Sequence, residues 1–277
     1  MTVRVLLVVA LGGVLLTPHT GQARSPSGES AAPAAVLDRA NWLFYSGRYA
    51  AAAELAGQLC AGDGLAACEL RSTALLFQIR RALGPAPQKD ALKRCTECEA
   101  LISEFQATVT RGQTLARTRL REAPEDEQTQ FLLGKLNLNH VWLHVGTLGR
   151  KTGLGEYREA RKVLDRVLDR SPDHVRARVA RAWIDYIVGS RVPRGMRWML
   201  GGGNKSRGLQ AAREAASMDA DFFVRAEARF ALWDMQVRER NMQEAVMTAR
   251  GLARDFPGNE ELNKFVASHH GVVASSR

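Results

Sequence analysis

The chain has 277 residues, 45% of them hydrophobic and 6% aromatic, and carries 39 Lys and Arg against 29 Asp and Glu, a formal net charge of +10. That apolar share supplies a buried core and excludes a wholly disordered chain. The excess of cations suits an acidic partner, but acids are interleaved with Arg158, Arg161, Arg166, Arg170, Arg176, Arg178 and Arg181, so no basic patch is demanded and no nucleic-acid partner is expected.

At the N-terminus Arg4 precedes an apolar run from Val5 to Leu16, and Gly21, Gln22, Ala23 place small residues where a signal peptidase reads. This predicts a signal peptide over 1–23, cleaved after Ala23, and a periplasmic or secreted chain. The run is shorter than the roughly 20 residues that span a bilayer, and no later stretch is long enough to do so. An exported basic chain meets anionic lipid headgroups, envelope polymers or acidic proteins, so peripheral contact with an anionic envelope surface is one expectation. Residues 24–33, rich in Ser, Pro, Ala and Gly, predict a disordered lead-in, and 269–277 a flexible tail with His269 and His270. Between them 34–268 reads as one all-α domain. Alternation of β-branched and polar residues is missing, and the Gly/Pro clusters fall between helical stretches.

The first helix-hairpin pattern is Gly47, Tyr49, Ala52, Ala56 and Leu59. Four cysteines follow, Cys60, Cys68, Cys95 and Cys98. An even number in an exported chain favours disulfides, with Cys60 and Cys68 pairing locally or reaching across to the Cys95/Cys98 helix. The Cys95-Thr96-Glu97-Cys98 spacing also suits a redox pair or half a zinc site. The helical surroundings argue against the first, and the wide Cys60/Cys68 spacing against the second.

Pro124 is followed ten residues later by Gly134, and Pro172 at the same distance by Ala182. The helix from about Glu127 to Leu148 is long, and carries His140 and His144 four apart on one face. They make only half a metal site, because no acid lies one turn away to complete it. The second hairpin copy is Gly155, Tyr157, Ala160, Leu164, Val167 and Pro172. The segment Arg191–Leu200 then mixes cations with Met196, Trp198 and Met199, a composition that suits either a membrane surface or a flap packed on the helices. Gly201, Gly202 and Gly203 open the next helix, but Asn204 separates the last Gly from Lys205, so this is no nucleotide-binding loop. The third copy is Met242, Ala245, Ala249, Leu252 and Pro257.

In all three copies apolar positions recur three and four apart, lining one helix face, with a small Ala where a neighbouring helix approaches. Pro172 and Pro257 stop their helices, having no amide hydrogen to continue them. These residues resemble the second helix of a tetratricopeptide unit, and Gly134 and Ala182 match the small residue of its first helix. The copies are not separated by whole repeats, so the resemblance is to an irregular, long-helix member. The Arg/Trp-rich segment, the glycine run and Arg213-Glu214-Ala215-Ala216 are similar to an insertion found in one branch of such proteins, over about 125–260.

The resemblance implies an α-solenoid of about five antiparallel helix pairs with a concave groove for a peptide or protein. In its register Gln128, Phe131, Lys135, Leu138 and Asn139 from one helix, and Arg176, Val179, Trp183, Tyr186 and Ile187 from the next, line that groove, with Arg176, Trp183 and Tyr186 as anchors. Phe131 stands where a carboxylate clamp needs Lys, so that specialisation is not implied. The expected function is a non-enzymatic protein-interaction scaffold: no HExxH, nucleophile elbow or paired-carboxylate loop stands out, and no cofactor or metal is expected. The alternative is a periplasmic accessory protein that binds a small or lipidic ligand for a transport system. A deep apolar cavity beneath Trp198, Met199 and Trp142 would mark it, whereas an open polar-rimmed groove marks peptide binding.

Overall fold

The computed structural model describes residues 28–84, 91–150 and 152–269. The expected signal peptide and its cleavage site, and the tail from 270 onward, lie outside these residues. All regular structure among the described residues is helical. None of their helices is long and apolar enough to cross a membrane.

Five consecutive helix pairs run along the described residues. They are α1 (Gly28–Tyr45) with α2 (Tyr49–Ala61), and α3 (Leu65–Leu83) with α5 (Cys98–Glu122), the short α4 (Ala91–Arg94) lying between them in sequence. Next come α6 (Glu127–Val141) with α7 (Leu154–Arg170), α8 (Val175–Arg191) with α9 (Lys205–Ser217), and α10 (Phe222–Arg238) with α11 (Met242–Asp255). A last helix, α12 (Glu260–Ser268), packs on α11. Helix α1 begins inside the Ser/Pro-rich stretch 24–33 and carries Pro33 within it, where the missing amide removes one helical hydrogen bond.

The three hairpin copies fall on α2, α7 and α11. In α7 Tyr157, Ala160, Val163, Leu164 and Val167 are buried while Arg158, Lys162 and Arg166 stay exposed, the division that a 3.6-residue period imposes. Helix α7 ends at Arg170 and α11 at Asp255, each two residues before its proline. Side-chain caps fix several starts. Asp126 accepts from the Thr129 amide at 2.9 Å, Asn204 from Arg207 at 2.9 Å and Asn259 from Leu262 at 3.1 Å. Each cap contributes about 1 kcal/mol.

Close helix crossings explain the small residues. A Cβ on Gly134 would lie 2.9 Å from Leu164 Cγ, so α6 and α7 meet there without a spacer. The long helix expected to reach Leu148 is realised as α6 continued by a π-helical turn, Trp142–Thr147. The wider turn keeps the chain helical past Val141 and buries Leu143 and His144. Two disulfides form locally. Cys60–Cys68 ties the end of α2 to the start of α3, and Cys95–Cys98 closes the turn that opens α5. Of the two partners left open for Cys60, the near one is taken. Structural disulfides of this kind fit an oxidising compartment.

The two ends of the array touch. Trp42 and Tyr45 of α1 pack against Phe222, Phe223 and Phe230 of α10 and against Phe256, with ring centroids 5.3–6.1 Å apart. The Asn259 side chain donates to the Tyr45 carbonyl at 2.7 Å, and Arg81 of α3 pairs with Glu261 of α12 at 2.6 Å. Helices α1 and α10 and the turn at Phe256 thereby share one aromatic cluster.

Candidate functional site

Four helices each contribute one charged side chain to a cluster in the interior. Glu69 sits in α3, Lys135 in α6, Arg176 in α8 and Glu227 in α10. Signs alternate around a closed circuit: Lys135 Nζ lies 2.6 Å from Glu227 and 3.7 Å from Glu69, while Arg176 lies 3.0 Å from Glu69 and 2.5 Å from Glu227. Each side chain thus has two partners of opposite charge.

This pairing is what makes the burial tolerable, since an isolated ion in a low-dielectric interior carries a penalty of several kcal/mol. Burial alone would raise the Glu227 carboxyl, but Arg176 and Lys135 outweigh it and hold its pKa down at about 2. For Lys135 burial opposes the charge and the carboxylates of Glu227 and Glu69 restore it, leaving the pKa above the ordinary lysine value. Arg176 is raised by the same two carboxylates against the same burial. Tyr45, at the edge of the circuit, has its phenol pushed well up by burial and by Glu227. Glu227, Lys135 and Arg176 therefore stay charged at neutral pH.

One turn along α6, Asn139 extends the polar layer. It donates to Ser72 Oγ at 2.8 Å and Thr73 Oγ1 at 2.9 Å, and Thr73 donates to Glu69 at 3.1 Å. Towards the outer helices Asn137 accepts from Gln113 at 2.7 Å and donates to Glu159 at 2.9 Å. At the opposite end of α8 Tyr186 donates to Glu239 at 2.7 Å, and Glu239 also pairs with Lys205 at 2.7 Å. Trp183 meets Tyr186 edge to face at 5.7 Å, with the Arg238 guanidinium 5.7 Å from its ring.

Where the amino ends of α6, α8 and α10 converge there is an open recess of about 590 Å³, lined by Gln128, Asp173, His174, Val175, Arg176, Asp219, Ala220, Asp221 and Val224. Arg176 belongs to both recess and charge circuit. Its guanidinium also lies 4.8 Å over the Phe131 ring, and His174 packs on the same ring at 4.8 Å. Burial lowers the His174 pKa, so its imidazole is neutral at pH 7 and caps α8 by accepting from the Ala177 amide at 3.2 Å.

The residues expected on a groove divide among these environments. Gln128 is exposed and shares the recess with Arg176. Lys135 sits in the circuit and Asn139 in the layer beside it. Phe131, Leu138, Val179 and Tyr186 are buried, and Trp183 and Ile187 are partly buried. The Arg191–Leu200 segment runs into a 3-10 turn, Arg194–Leu200, whose last residue is held by α7. His140 and His144 have ring centroids 4.3 Å apart, and His144 is lowered by burial and then by His140. Among the described residues no group of three or more His, Cys, Asp or Glu is arranged to hold a metal.

Glu69, Glu227 and Tyr45 were not expected at a site. The available signal was a carboxylate between apolar neighbours: Glu69 stands between Cys68 and Leu70, and Glu227 between Ala226 and Ala228. A lone acid on a core face needs a buried cation. Compared with known proteins, the chain matches no family model, no curated protein and no solved structure.

Proposed function

We propose that this chain is an exported, non-enzymatic helical-repeat scaffold of the tetratricopeptide kind that receives an extended segment of a protein or peptide. The observation that carries this reading is the recess at the amino ends of α6, α8 and α10, open to solvent and rimmed by polar groups. Arg176 is held there by two carboxylates and an aromatic face, so it meets a ligand without losing side-chain freedom. Asp173, Asp219 and Asp221 around it favour a segment bearing Lys or Arg. The alternative of a lipidic ligand for a transport system has less support: Trp198 is 75% exposed and Trp142 packs between two core clusters, so neither roofs an apolar pocket.

The test is site-specific photocrosslinking in the cell envelope, with the reactive group at Gln128 in one chain and at Thr110, on the outer helix α5, in another. Protein adducts at Gln128 and not at Thr110 are expected, and Asp219→Asn with Asp221→Asn lowers their yield. Equal adducts at both positions, or none at Gln128, overturn the reading.

A further inference from the structure

The 3-10 turn Arg194–Leu200 has three residues per turn, so its side chains stand in three columns. In the column of Arg194, Arg197 and Leu200, Arg197 and the Leu200 backbone fix the turn to the protein, while Arg194 at its start stays exposed. Arg197 donates to the Gly189 and Val192 carbonyls at 2.7 and 2.9 Å, and the Leu200 carbonyl accepts from Tyr157 at 2.8 Å and from Arg161 at 2.9 Å. The other two columns carry Trp198 and the Met196/Met199 pair. They stand in water, 75%, 50% and 46% exposed. Three large apolar side chains are thus presented on a turn whose backbone is anchored.

Their electrostatic setting is one-sided. Between Asp185 and Glu214 the chain has six cations and no acid. Lys205, Arg207 and Arg213 are answered by Glu239, Asp185 and Glu244 from neighbouring helices. Arg191 and Arg194 beside the exposed side chains are solvent-exposed and make no ion pair among the described residues, and neither do Arg158 and Lys162, which flank the docking residues Tyr157 and Arg161 on α7.

We propose that this turn is a docking site for an anionic lipid bilayer, with Trp198, Met196 and Met199 entering the headgroup boundary and Arg191, Arg194, Arg158 and Lys162 facing its phosphates. An indole with two flexible thioethers is suited to the half-wet interface. Unanswered cations around apolar side chains are the complement of a negatively charged membrane and not of a neutral one. A single turn inserts little area, so the attachment is reversible and depends on charge. This inference is independent of the recess on α6, α8 and α10.

The experiment labels the full chain through Met199→Cys with a polarity-sensitive fluorophore, leaving the native disulfides oxidised, and adds vesicles of phosphatidylcholine alone or with phosphatidylglycerol. A blue shift with the anionic vesicles only, abolished by about 0.5 M salt, is expected. Arg191→Gln and Arg194→Gln each weaken the response about fivefold, and Trp198→Ser about tenfold. Both arginines and Trp198 are exposed, so circular dichroism stays that of the parent chain. No shift with either vesicle, an equal shift with both, or a response indifferent to Trp198→Ser overturns the proposal. A shift that grows with protein concentration in the absence of lipid does the same, assigning the patch to a second copy of the chain.

Discussion

At the scale of single residues, the decisive fact is that Glu69, Lys135, Arg176 and Glu227 answer one another in a single circuit, largely shielded from water although Arg176 also reaches the recess. Removing one partner leaves the others buried and unbalanced, so Glu227→Gln is expected to cost about 3 kcal/mol in urea unfolding at neutral pH. The pH dependence has a definite sign. The Glu227 pKa is depressed from 4.5 to about 2 in the folded chain, so its contribution is complete above 4.5 and is lost as pH falls through that window. Unfolding measured at pH 6 and pH 3 gives a steep loss for the parent chain and a shallower one for Glu227→Gln. His144 acts at milder acidity. Its pKa is lowered by burial, so the unfolded chain takes up its proton first and stability falls as pH drops below 6.5. Lone acids at Glu69 and Glu227 were a local signal, but their pairing was not legible, because Lys135 and Glu227 are 92 residues apart and Glu69 and Arg176 are 107 apart. The register did place Lys135 and Arg176 on inner helices, but it had no means of naming the carboxylates opposite them.

At the scale of elements, helix crossings give glycines opposite roles. A Cβ on Gly208 would meet the Ala182 carbonyl oxygen at 2.6 Å and the Tyr186 amide at 2.7 Å, both backbone, whereas one on Gly155 would meet nothing within 4 Å. Gly208→Ala should therefore destabilise by about 1–3 kcal/mol as α8 and α9 are forced apart. Gly155→Ala should stabilise by about 0.5 kcal/mol through helix propensity and a stiffer unfolded chain. Thermal unfolding of the two variants is expected to move in opposite directions. Cys60→Ser with Cys68→Ser should cost about 2–3 kcal/mol by freeing the loop between α2 and α3, read as the shift that reductant also produces. Elements were the most legible level. The α2, α7 and α11 faces repeat every three and four residues, and a period needs no distant partner to be visible. The π-helical turn after Val141 was legible only as extra length, because its widening answers contacts around Leu143 and His144.

At the scale of the whole molecule, three hairpin copies and a total of about five helix pairs were legible in the sequence, but not the contact between α1 and α10. Tyr45 and Phe256 belong to opposite ends of the chain, and each alone looks like ordinary core. Tyr45→Ala should cost about 3 kcal/mol, and hydrogen exchange should accelerate in α1, in the first turns of α10 and around Asn259 together, since all three surround that ring. Faster exchange in α1 alone would mean that the contact between the ends adds little. Shared ends also bear on biosynthesis. Helix α1 is translated well before the cover of its aromatic face, which runs from Phe222 to Phe256. Until α10 and α11 follow, the nascent polypeptide exposes a sticky surface, and a holding chaperone has a defined place to bind.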